Sequence, residues 1–481
     1  MESVLRFRYD QFEQMRKHLL GSSDEDFCWL FAKSYRRDGL LVHIVQKIYY
    51  PHPHEYIERS SSRVSLKDDA RYRVYKSFIE SDCDTIINCH SHPFDNTDSV
   101  CFSSVDDRDD HEEMEFLIDQ IPIGKRNVGQ AVESIYAYSL VIGQRSIDAR
   151  GYDRNAGEFL DNRRFYPVSR IHVPGRREGF FIYPRSAKRE ENHSKKSEQI
   201  FDRQSKAFEL SKIREQRICI VGAGGVGSII GESLARSGFY SIMVIDDDIL
   251  EYSNLNRWQG GSEEQVSQCK AQLLVERLQK LFPDGEFTYC NKPLYEAVDE
   301  ISASDFIVSV VDNHLARYVL NQISTRYLLP LLDAGTLLSN EPISAQFSHR
   351  FFIPGLSVCM DCSMIDFYDK KEIAQSFYSK DTQQRMRQAG YIEDDPQDPG
   401  AAVMAVNQIV SGYMVYDLLK LICGSEDRIH VQWTKIEGMN NEIHRQSLDI
   451  DAFKANRKPC LLCDYYGGDG DDSPITLPSD Y

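Results

Sequence analysis

Residues 217–258 read RICIVGAGGVGSIIGESLARSGFYSIMVIDDDILEYSNLNRW, and this stretch decides the fold class. An apolar, β-branched run at 218–221 precedes several glycines, and apolar residues at helical spacing follow them, which predicts a strand, a glycine-rich turn and a helix. Glycines let a backbone approach a phosphate closely, and the free N–H groups of the following helix favour its negative charge. Taken alone, the turn could bind a nucleotide, hold a nicotinamide dinucleotide or only pack tightly. The glycines are Gly222, Gly224, Gly225 and Gly227.

Further polar features follow this turn in a fixed order. A second apolar run ends in three aspartates, which places a carboxylate where a first βαβ unit contacts a ribose hydroxyl. The whole set resembles the ThiF-type superfamily of ubiquitin-activating-enzyme-like adenylating enzymes, and the resemblance covers residues 200–465. The additional features are Asp246, Asp247 and Asp248, the motif SNLNR at 253–257, Lys270 and Asp312.

The resemblance implies a Rossmann-like α/β domain that binds ATP and Mg²⁺. In such a domain Arg257 and Lys270 would neutralise charge that develops during transfer, and Asp312 would hold magnesium on the phosphates. Arg203 matches an arginine that reaches the nucleotide of a partner subunit, so we expect a homodimer. Without the resemblance, Arg203 is a surface arginine and Asp312 a helix cap. The implied nucleotide-binding set is Gly222, Gly224, Gly225, Gly227, Ser228, Asp246, Asp248, Asn254, Asn256, Arg257, Lys270, Asp312 and Arg203.

A second informative stretch, DTIINCHSHPFDNTDSVCFSSVDDRDD, begins at residue 84. Its strand-like start delivers His90 and His92 with one residue between them, so both imidazoles leave the same face of an extended chain. Two histidines and a carboxylate such as Asp106 can bind zinc and leave the fourth position open. The alternative is a pair of polar histidines at a strand end, with Asp106 capping a helix.

The full arrangement resembles the JAMM, or JAB/MPN, zinc metallopeptidases. The resemblance implies that His90, His92 and Asp106 bind a catalytic zinc ion. It also implies that Glu25 is the acid/base and that Ser103 stabilises the oxyanion. The spacer before Ser103 is slightly long for the family, and Glu25 is flanked by two other carboxylates.

Twelve cysteines are present, and four of them form two CxxC pairs. Four thiolates suit a closed structural zinc site, although the wide separation of the pairs leaves the pattern ambiguous by itself. The ThiF-type resemblance implies one structural zinc ion bound by Cys359, Cys362, Cys460 and Cys463. The segment at 363–400, where related enzymes often carry a thioester cysteine, contains none. Of the remaining thiols only Cys269, beside Lys270, has a cationic neighbour, so we expect transfer of an acyl-adenylate to a separate thiol-bearing protein.

Length and composition bound the remaining possibilities. A chain of 481 residues, 41% hydrophobic and 27% charged, should form about two to three soluble domains. Its net charge of −18 argues against nucleic-acid binding, because phosphate backbones attract basic surfaces. No apolar stretch approaches the ~20 residues of a membrane helix, and the first residues lack a signal-peptide core. We therefore expect a cytoplasmic protein with no membrane partner.

The predicted organisation is α/β throughout. A mixed α/β JAB/MPN domain at 1–180 and a charged linker at 181–198 precede a Rossmann-like adenylating domain with a structural zinc at 199–466. A disordered tail is expected at 467–481.

Together the two resemblances imply a bifunctional enzyme of a bacterial ubiquitin-like modification pathway. It would adenylate the C-terminal glycine of a ubiquitin-like protein and cleave the bond after that glycine, with a conjugating-enzyme-like or thiol-bearing acceptor as a further partner. One alternative is the activation of a sulfur carrier for cofactor or amino-acid synthesis. A binding protein with degraded sites is the other alternative, although both motif sets are complete.

Overall fold

The structure is a computed structural model, and it describes residues 2–37, 39–121, 123–125, 131–132, 134–153, 165–176, 179–185, 199–340, 343–357, 359–362, 402–424, 431–437, 442–447, 459–472 and 475. The chain divides into two units. The first comprises Met1–Arg176, Phe180–Glu191 and Gly468–Ser473, and the second comprises Arg177–Gly179, Asn192–Gly467 and Pro474–Tyr481. None of the helices in the described ranges is both long enough and apolar enough to cross a membrane.

The first unit is built on a mixed β-sheet. In chain order its strands are β1 (Glu2–Arg6), β2 (Phe27–Arg37), β3 (Leu40–Tyr49), β4 (Tyr56–Ser60), β5 (Arg63–Leu66), β6 (Thr85–Ser91), β7 (Gly124–Lys125), β8 (Ala131–Val132), β9 (Tyr136–Ile142), β10 (Ile147–Tyr152), β11 (Phe165–Pro167), β12 (Arg170–His172) and β13 (Phe181–Ile182). Nine of them form one sheet in the order β11-β10-β9-β6-β2-β3-β1-β12-β13, and β4 with β5 and β7 with β8 form separate pairs. Central strand β2 is antiparallel to β3 and β6, and β6 is parallel to β9.

Helices cover both faces of this sheet. They are α1 (Tyr9–Leu19), α2 (Asp68–Ile79) and α3 (Ser104–Gln120). Alternate residues of β2 enter different hydrophobic clusters: Leu30 belongs to the cluster that contains α1, and Phe31 to the one that contains α2 and α3. Because strand side chains alternate between faces, a strand buried on both sides must be apolar throughout. This explains the continuous apolar run FCWLFA at the start of β2.

The second unit contains an eight-stranded sheet. Its strands are β14 (Arg217–Val221), β15 (Ser241–Ile245), β16 (Glu286–Cys290), β17 (Phe306–Ser309), β18 (Leu331–Asn340), β19 (Ile343–Phe352), β20 (Val431–Glu437) and β21 (Glu442–Ser447). The order is β16-β15-β14-β17-β18-β19-β20-β21, parallel up to β18 and antiparallel beyond it. The helices are α4 (Leu210–Arg214), α5 (Gly225–Arg236), α6 (Lys270–Leu281), α7 (Val298–Ser302), α8 (His314–Tyr327) and α9 (Met404–Ile422).

The direction in which strands are added reverses between β14 and β17. From β14 the chain continues outward to β15 and β16, and it then returns to place β17 on the other side of β14. Open parallel sheets bind ligands at the carboxyl ends of the strands beside such a reversal. The glycine-rich turn follows β14 and Asp312 follows β17. The fold therefore brings both to the edge of the sheet where the parallel strands end.

Parts of the predicted tail and linker lie within the described ranges. In the tail, the acidic residues 469–472 belong to the first unit, where Nζ of buried Lys33 lies 3.2 Å from a carboxylate oxygen of Asp469 and 2.8 Å from one of Asp472. A buried ammonium group needs such partners. Residues 469–472 of the predicted tail thus contact the first unit through Lys33, and the disorder of the tail stays a prediction. In the predicted linker, Phe181–Ile182 form β13 and pair with β12, and residues 186–198 lie outside the described ranges.

Candidate functional sites

The glycine-rich turn joins β14 to α5. Gly222 has a φ of +100°, and a Cβ atom there would lie 2.8 Å from the carbonyl oxygen of Val310. A Cβ atom on Gly227 would lie 2.0 Å from the carbonyl oxygen of Gly222. Among the described residues, nothing lies within 4 Å of the Cβ position at Gly224. Tight packing thus requires two of the glycines, whereas Gly224 borders open space at the amino end of α5, where a phosphate is favoured.

The aspartates after β15 divide between two tasks. The carboxylate of Asp246 accepts hydrogen bonds from the N–H groups of Ala223, at 2.5 Å, and Asp248, at 2.8 Å. Burial raises the pKa of Asp246, while these two hydrogen bonds oppose the increase. The carboxylate of Asp248 is largely exposed and lies 2.8 Å from Nζ of Lys270. Asp246 therefore ties the glycine-rich turn to the neighbouring strand, and Asp248 holds the predicted lysine.

The SNLNR segment is stabilised by its own hydrogen bonds. Nη1 of Arg257 donates to the carbonyl oxygen of Ser253 at 2.5 Å and to Oδ1 of Asn256 at 3.0 Å. Oδ1 of Asn254 accepts from the N–H group of Glu251. The aliphatic part of Arg257 also lies against the turn, because Cγ of Arg257 would be 3.1 Å from a Cβ atom at Gly225.

Ser228 has a structural role that its motif position did not predict. Its side chain is fully buried; Oγ donates to the carbonyl oxygen of Gly225 at 3.1 Å and accepts from the N–H group of Gln259 at 3.0 Å. These bonds connect α5 to the chain just beyond SNLNR. The hydroxyl group is therefore already used within the protein, in contrast to the phosphate contact expected from the motif.

Asp312 follows β17 and is exposed. The N-cap of α8 is the next residue, Asn313, whose Oδ1 accepts from the N–H group of Ala316 at 2.7 Å. The alternative interpretation of Asp312 as the helix cap is therefore wrong. Arg203 is also exposed, in the turns before α4, and its contact with a second subunit stays a prediction.

A buried charged cluster beside Asp312 was missed by sequence reasoning. The carboxylate of Asp333, on β18, lies 3.2 Å from Nε of Arg317 and 3.3 Å from Nη1 of Arg350, and it accepts a hydrogen bond from Ser309. Burial lowers the pKa of Arg350 to about 10, and Arg317 adds to this effect. Arg317 sits five residues after Asp312 in the motif DNHLAR, a spacing that could have indicated it.

In the first unit, the two histidines and Asp106 converge. His90 is the second-last residue of β6, His92 directly follows that strand, and Asp106 lies in the first turn of α3. Nε2 of His90 lies 3.5 Å from Oδ1 of Asp106, and Nε2 of His92 lies 3.6 Å from Oδ2. One ligand atom from each of the three residues lies within 4.8 Å of the other two. Nε2 of His90 is buried and has no hydrogen-bond partner among the described residues, so this donor set fits a zinc ion.

The three carboxylates at 24–26 have different surroundings. Glu25 is 7% exposed; burial raises its pKa to about 7, with His90 lowering it and Asp106 adding to the increase. The carboxylate of Asp26 instead accepts hydrogen bonds from Tyr56, at 2.5 Å, and Arg59, at 2.6 Å. The charges of His90 and Asp106 thus affect the pKa of Glu25, which agrees with the position that the resemblance implies for this residue.

Ser103 and Asp106 also cap α3. The N–H group of Ser103 donates to Oδ2 of Asp106 at 2.6 Å, and Oγ of Ser103 accepts from the N–H group of Asp106 at 3.2 Å. Burial by itself raises the pKa of Asp106, but its contacts with His90 and Ser103 hold that pKa well below the usual value. The helix-cap interpretation and the ligand interpretation of Asp106 are therefore compatible. Ser103 is exposed.

The four cysteines of the CxxC pairs form one cluster. Sγ of Cys359 lies 3.7 Å from Sγ of both Cys362 and Cys460, and Sγ of Cys362 lies 3.7 Å from that of Cys463. A tetrahedron with Zn–S bonds of about 2.3 Å has edges of about 3.8 Å. Spacing and donor type therefore fit a closed zinc site, although the two pairs are about a hundred residues apart in sequence.

Two of the remaining thiols are poor nucleophiles. Burial raises the pKa values of Cys219 and Cys423. Cys269 is partly exposed at the start of α6, where its Sγ lies 4.0 Å from the carbonyl oxygen of Asp246. The cysteine-free segment at 363–400 lies outside the described residues.

Comparison with protein families matches residues 197–462 to the ThiF family, which is more than half of the 481 residues. The matched region contains the glycine-rich turn, SNLNR, Lys270, Asp312 and three of the four clustered cysteines, and it ends one residue before Cys463.

Several curated relatives match parts of this chain. SUMO-activating enzyme subunit uba-2 of Caenorhabditis elegans is 32% identical over 128 residues, which are 26% of this chain and 22% of the relative. Ubiquitin-like modifier-activating enzyme 5 of Arabidopsis thaliana is 29% identical over 170 residues, 32% of this chain and 38% of the relative. The NEDD8-activating enzyme E1 catalytic subunit of Schizosaccharomyces pombe is 30% identical over 161 residues, 32% of this chain and 35% of the relative. The chain thus spans less than two fifths of each relative.

Solved structures give weaker likenesses. E. coli MccB has 20% identity and a TM-score of 0.44, covering 57% of this chain and 74% of MccB. PaaA has 16% identity and a TM-score of 0.42, covering 54% of this chain and 86% of PaaA. Neither value supports a statement about activity.

Proposed function

This chain belongs to the ThiF family, and we propose that its second unit adenylates the C-terminal glycine of a ubiquitin-like protein. The observation that carries the proposal is the group of residues at the reversal point of the sheet. There the open Gly224 position, the Lys270–Asp248 pair and the exposed Asp312 follow neighbouring strands. Relatives named as activating enzymes for SUMO, NEDD8 and ubiquitin-like modifiers support this class of substrate.

In the proposed reaction, a carboxylate oxygen of the terminal glycine attacks the α-phosphorus of ATP, and the bond to the β-phosphate oxygen breaks to release pyrophosphate. The amino end of α5 binds phosphate oxygens, and Lys270 and Arg257 neutralise the negative charge that grows on them. Asp248 keeps the ammonium group of Lys270 in place at 2.8 Å. Mg²⁺ would be held by Asp312 and would screen the phosphate charges.

ATP–pyrophosphate exchange tests this proposal directly. The full-length protein should incorporate labelled pyrophosphate into ATP only when Mg²⁺ and a ubiquitin-like protein with a free C-terminal glycine are present. A variant of that protein with its last glycine deleted is the matched control. Exchange that does not depend on the modifier would refute the proposed substrate class.

We further propose that the first unit is a zinc peptidase that cleaves after the same glycine. The convergence of His90, His92 and Asp106 beside buried Glu25 supports it. A zinc ion held by these three ligands would supply Lewis-acid activation of water and of the scissile carbonyl. Glu25 would take the proton from the attacking water and deliver it to the leaving nitrogen, and the exposed hydroxyl of Ser103 would donate to the carbonyl oxygen.

A modifier extended beyond its C-terminal glycine, or joined there to a lysine side chain, tests the peptidase proposal. The full-length protein should release the mature modifier, and the metal chelator 1,10-phenanthroline should stop the release. His92→Ala should lose one zinc ion per chain together with the activity. If His92→Ala still cleaved at the wild-type rate, the zinc site would not be catalytic.

The four-cysteine cluster is proposed to hold a structural zinc ion. Its sulfur spacing and thiolate donors support this, and the two ligand pairs would join distant parts of the chain. Cys460→Ser should reduce the zinc content by one ion per chain and lower the melting temperature of the second unit. An unchanged zinc content would argue against the site.

The partner contacts follow from the same activity. We propose a homodimer in which Arg203 reaches the nucleotide of the partner subunit. We also propose that the acyl-adenylate passes to a separate thiol-bearing or conjugating-enzyme-like protein. A modifier adduct that is lost on reduction and absent only in Cys269→Ala would show an internal thioester instead.

A further inference from the structure

Arg150, on β10, is a buried arginine beside the metal site that neither motif set includes. It is 5% exposed. Its Nη1 lies 2.5 Å from Oδ1 of Asp107 and its Nη2 lies 2.6 Å from Oδ2 of Asp110. Both carboxylates belong to the start of α3, one directly after Asp106 and the other one turn further on. One guanidinium group thus fastens two points of the helix that flank the proposed zinc ligand.

Two aromatic rings lie against the same guanidinium group. Its carbon lies 3.8 Å from the ring centre of Phe102 and 4.1 Å from that of Phe165. Phe102 directly precedes Ser103, and its ring centre lies 6.1 Å from that of His90. Arginine stacks well on aromatic rings and binds two carboxylates through its planar fork, so both contacts fix its orientation.

Most residues at the start of α3 are exposed. Ser103, Ser104, Val105, Arg108 and Asp109 are exposed, and the apolar anchors Met114 and Leu117 come two turns later. Asp107 and Asp110, together with Phe102, therefore provide the attachment of this turn, and all three meet at Arg150. The position of Asp106 relative to His90 and His92 depends on that attachment.

We propose that Arg150 is a positioning residue of the zinc site, which holds the segment from Phe102 to Asp110 so that Asp106 and Ser103 face the two histidines. This inference rests on the proposed peptidase function. Partners outside the ligand set commonly contribute 10- to 100-fold, by order of magnitude, to metal affinity. Arg150→Met should therefore weaken zinc binding at this site by about 10- to 100-fold and slow cleavage at limiting zinc.

Arg170 provides a matched control in the same unit. It is 4% exposed, its Nε lies 3.3 Å from Oε1 of Glu2, and its guanidinium carbon lies 4.5 Å from the ring centre of Phe181. Arg170→Met thus removes an equally buried, ion-paired and stacked arginine from β12. Both substitutions should lower the melting temperature, but only Arg150→Met should weaken zinc binding.

The experiment is competition for zinc against a chromophoric chelator, with the full-length protein at a temperature where every variant is folded. Asp106→Ala identifies the zinc equivalent that belongs to this site. Arg150→Lys keeps the charge but cannot form two fixed hydrogen bonds, so we expect intermediate zinc affinity. Arg150→Lys also tests the proposal if Arg150→Met does not fold. In Arg150→Met with Asp110→Asn, the uncompensated buried carboxylate is removed, so stability should recover while zinc binding stays weak.

The outcomes separate the two proposals. If the wild-type protein has no zinc equivalent that is lost in Asp106→Ala, the proposed peptidase site fails, and the role of Arg150 fails with it. If that equivalent exists but Arg150→Met and Arg150→Lys bind it as tightly as wild type, the positioning role alone is overturned. If Arg150→Met combined with Asp110→Asn recovered full zinc affinity, Arg150 would only compensate the charge of Asp110, and the positioning role would be overturned.

Discussion

The two candidate sites differ in how far their charged groups are already paired. At the metal site, His90 and His92 are 7% and 8% exposed, and Nε2 of His90 has no hydrogen-bond partner among the described residues. At the nucleotide site, Lys270 is paired with Asp248, Arg257 is bonded to its own segment, and Asp312 is exposed. The first site is thus a preorganised, buried set of donor groups, whereas the second would have to exchange internal contacts for contacts with its proposed ligand.

This difference has consequences for mutagenesis. A preorganised site depends on each residue in a small buried set, so single changes should have large effects. A site whose charges are partly satisfied by neighbours should respond in graded steps, because each residue provides only part of the stabilisation.

The largest effect is expected at the metal site. Glu25→Gln keeps the size of the side chain but removes the proton acceptor, so cleavage should fall by about 10²- to 10⁴-fold while zinc content stays at the wild-type level. Steady-state cleavage of the extended modifier and zinc analysis of the same sample measure both quantities. Asp24→Asn, at a partly exposed neighbouring carboxylate, is the control. Full activity in Glu25→Gln would move the acid/base role to another residue.

The next effect concerns Asp312, the proposed magnesium ligand. Asp312→Ala should reduce ATP–pyrophosphate exchange by roughly 10²- to 10³-fold, because the phosphate charges lose the cation that screens them. Asn313→Ala removes the cap of α8 instead, so it should cost about 1 kcal/mol of stability and leave exchange within a few-fold of wild type. If both variants lost the same exchange activity, the effect of Asp312→Ala would come from disruption of the amino end of α8 and not from a lost magnesium ligand.

A smaller effect on exchange is expected for Asp248, whose carboxylate pairs with Lys270. Asp248→Asn removes the carboxylate that lies 2.8 Å from Nζ of Lys270, so the lysine should be less well positioned. Exchange should fall by about 10-fold, whereas Lys270→Ala should lower it by a further order of magnitude. The exchange rates of both variants, measured at saturating ATP, test this prediction. A loss in Asp248→Asn as large as in Lys270→Ala would mean that Asp248 contacts the nucleotide itself.

The smallest effect is a pH dependence of stability in the second unit. The carboxylate of Asp417 lies 2.7 Å from Nε2 of His349 and is also bonded to Lys420. Burial by itself raises the pKa of Asp417, but these hydrogen bonds bring it down to about 2. A carboxyl group with a lowered pKa in the folded protein stabilises it above the unfolded pKa of about 3.9 and loses this contribution as the pH falls toward 2.

Urea unfolding of wild type and Asp417→Asn at several pH values between about 5 and 3 measures this contribution. Wild type should be the more stable protein at pH 5, and its advantage should shrink by roughly 1 kcal/mol as the pH decreases. A constant difference between the two proteins across this range would mean that Asp417 does not titrate with folding.

Much of both sites could be predicted from local sequence. The order of strand, glycines and helix fixes the turn at 222–227, because backbone freedom and hydrophobic periodicity act over a few residues. The spacing of His90 and His92 predicts two side chains on one face for the same reason. The two CxxC pairs are also local patterns, since each pair places two thiols within a single turn.

The partners of these local groups were decided by the tertiary structure. The environments of Glu25 and Asp26 differ because Tyr56 and Arg59 donate hydrogen bonds to Asp26. Ser228 and Asp246 face the protein because neighbouring N–H groups need acceptors once they are buried. No local pattern in the sequence contains this information.

The sequence by itself determined which chemical groups are present and how they leave the chain: the glycine turn, the histidine pair, the cysteine pairs and the family to which the second unit belongs. Tertiary structure alone decided that four thiols from distant segments meet and that Arg150 fastens the helix of Asp106. It also decided that the acidic residues after Gly468 pair with buried Lys33. The physical reason is that burial leaves a charged or polar group dependent on whichever partners the fold brings near, and sequence distance does not limit those partners.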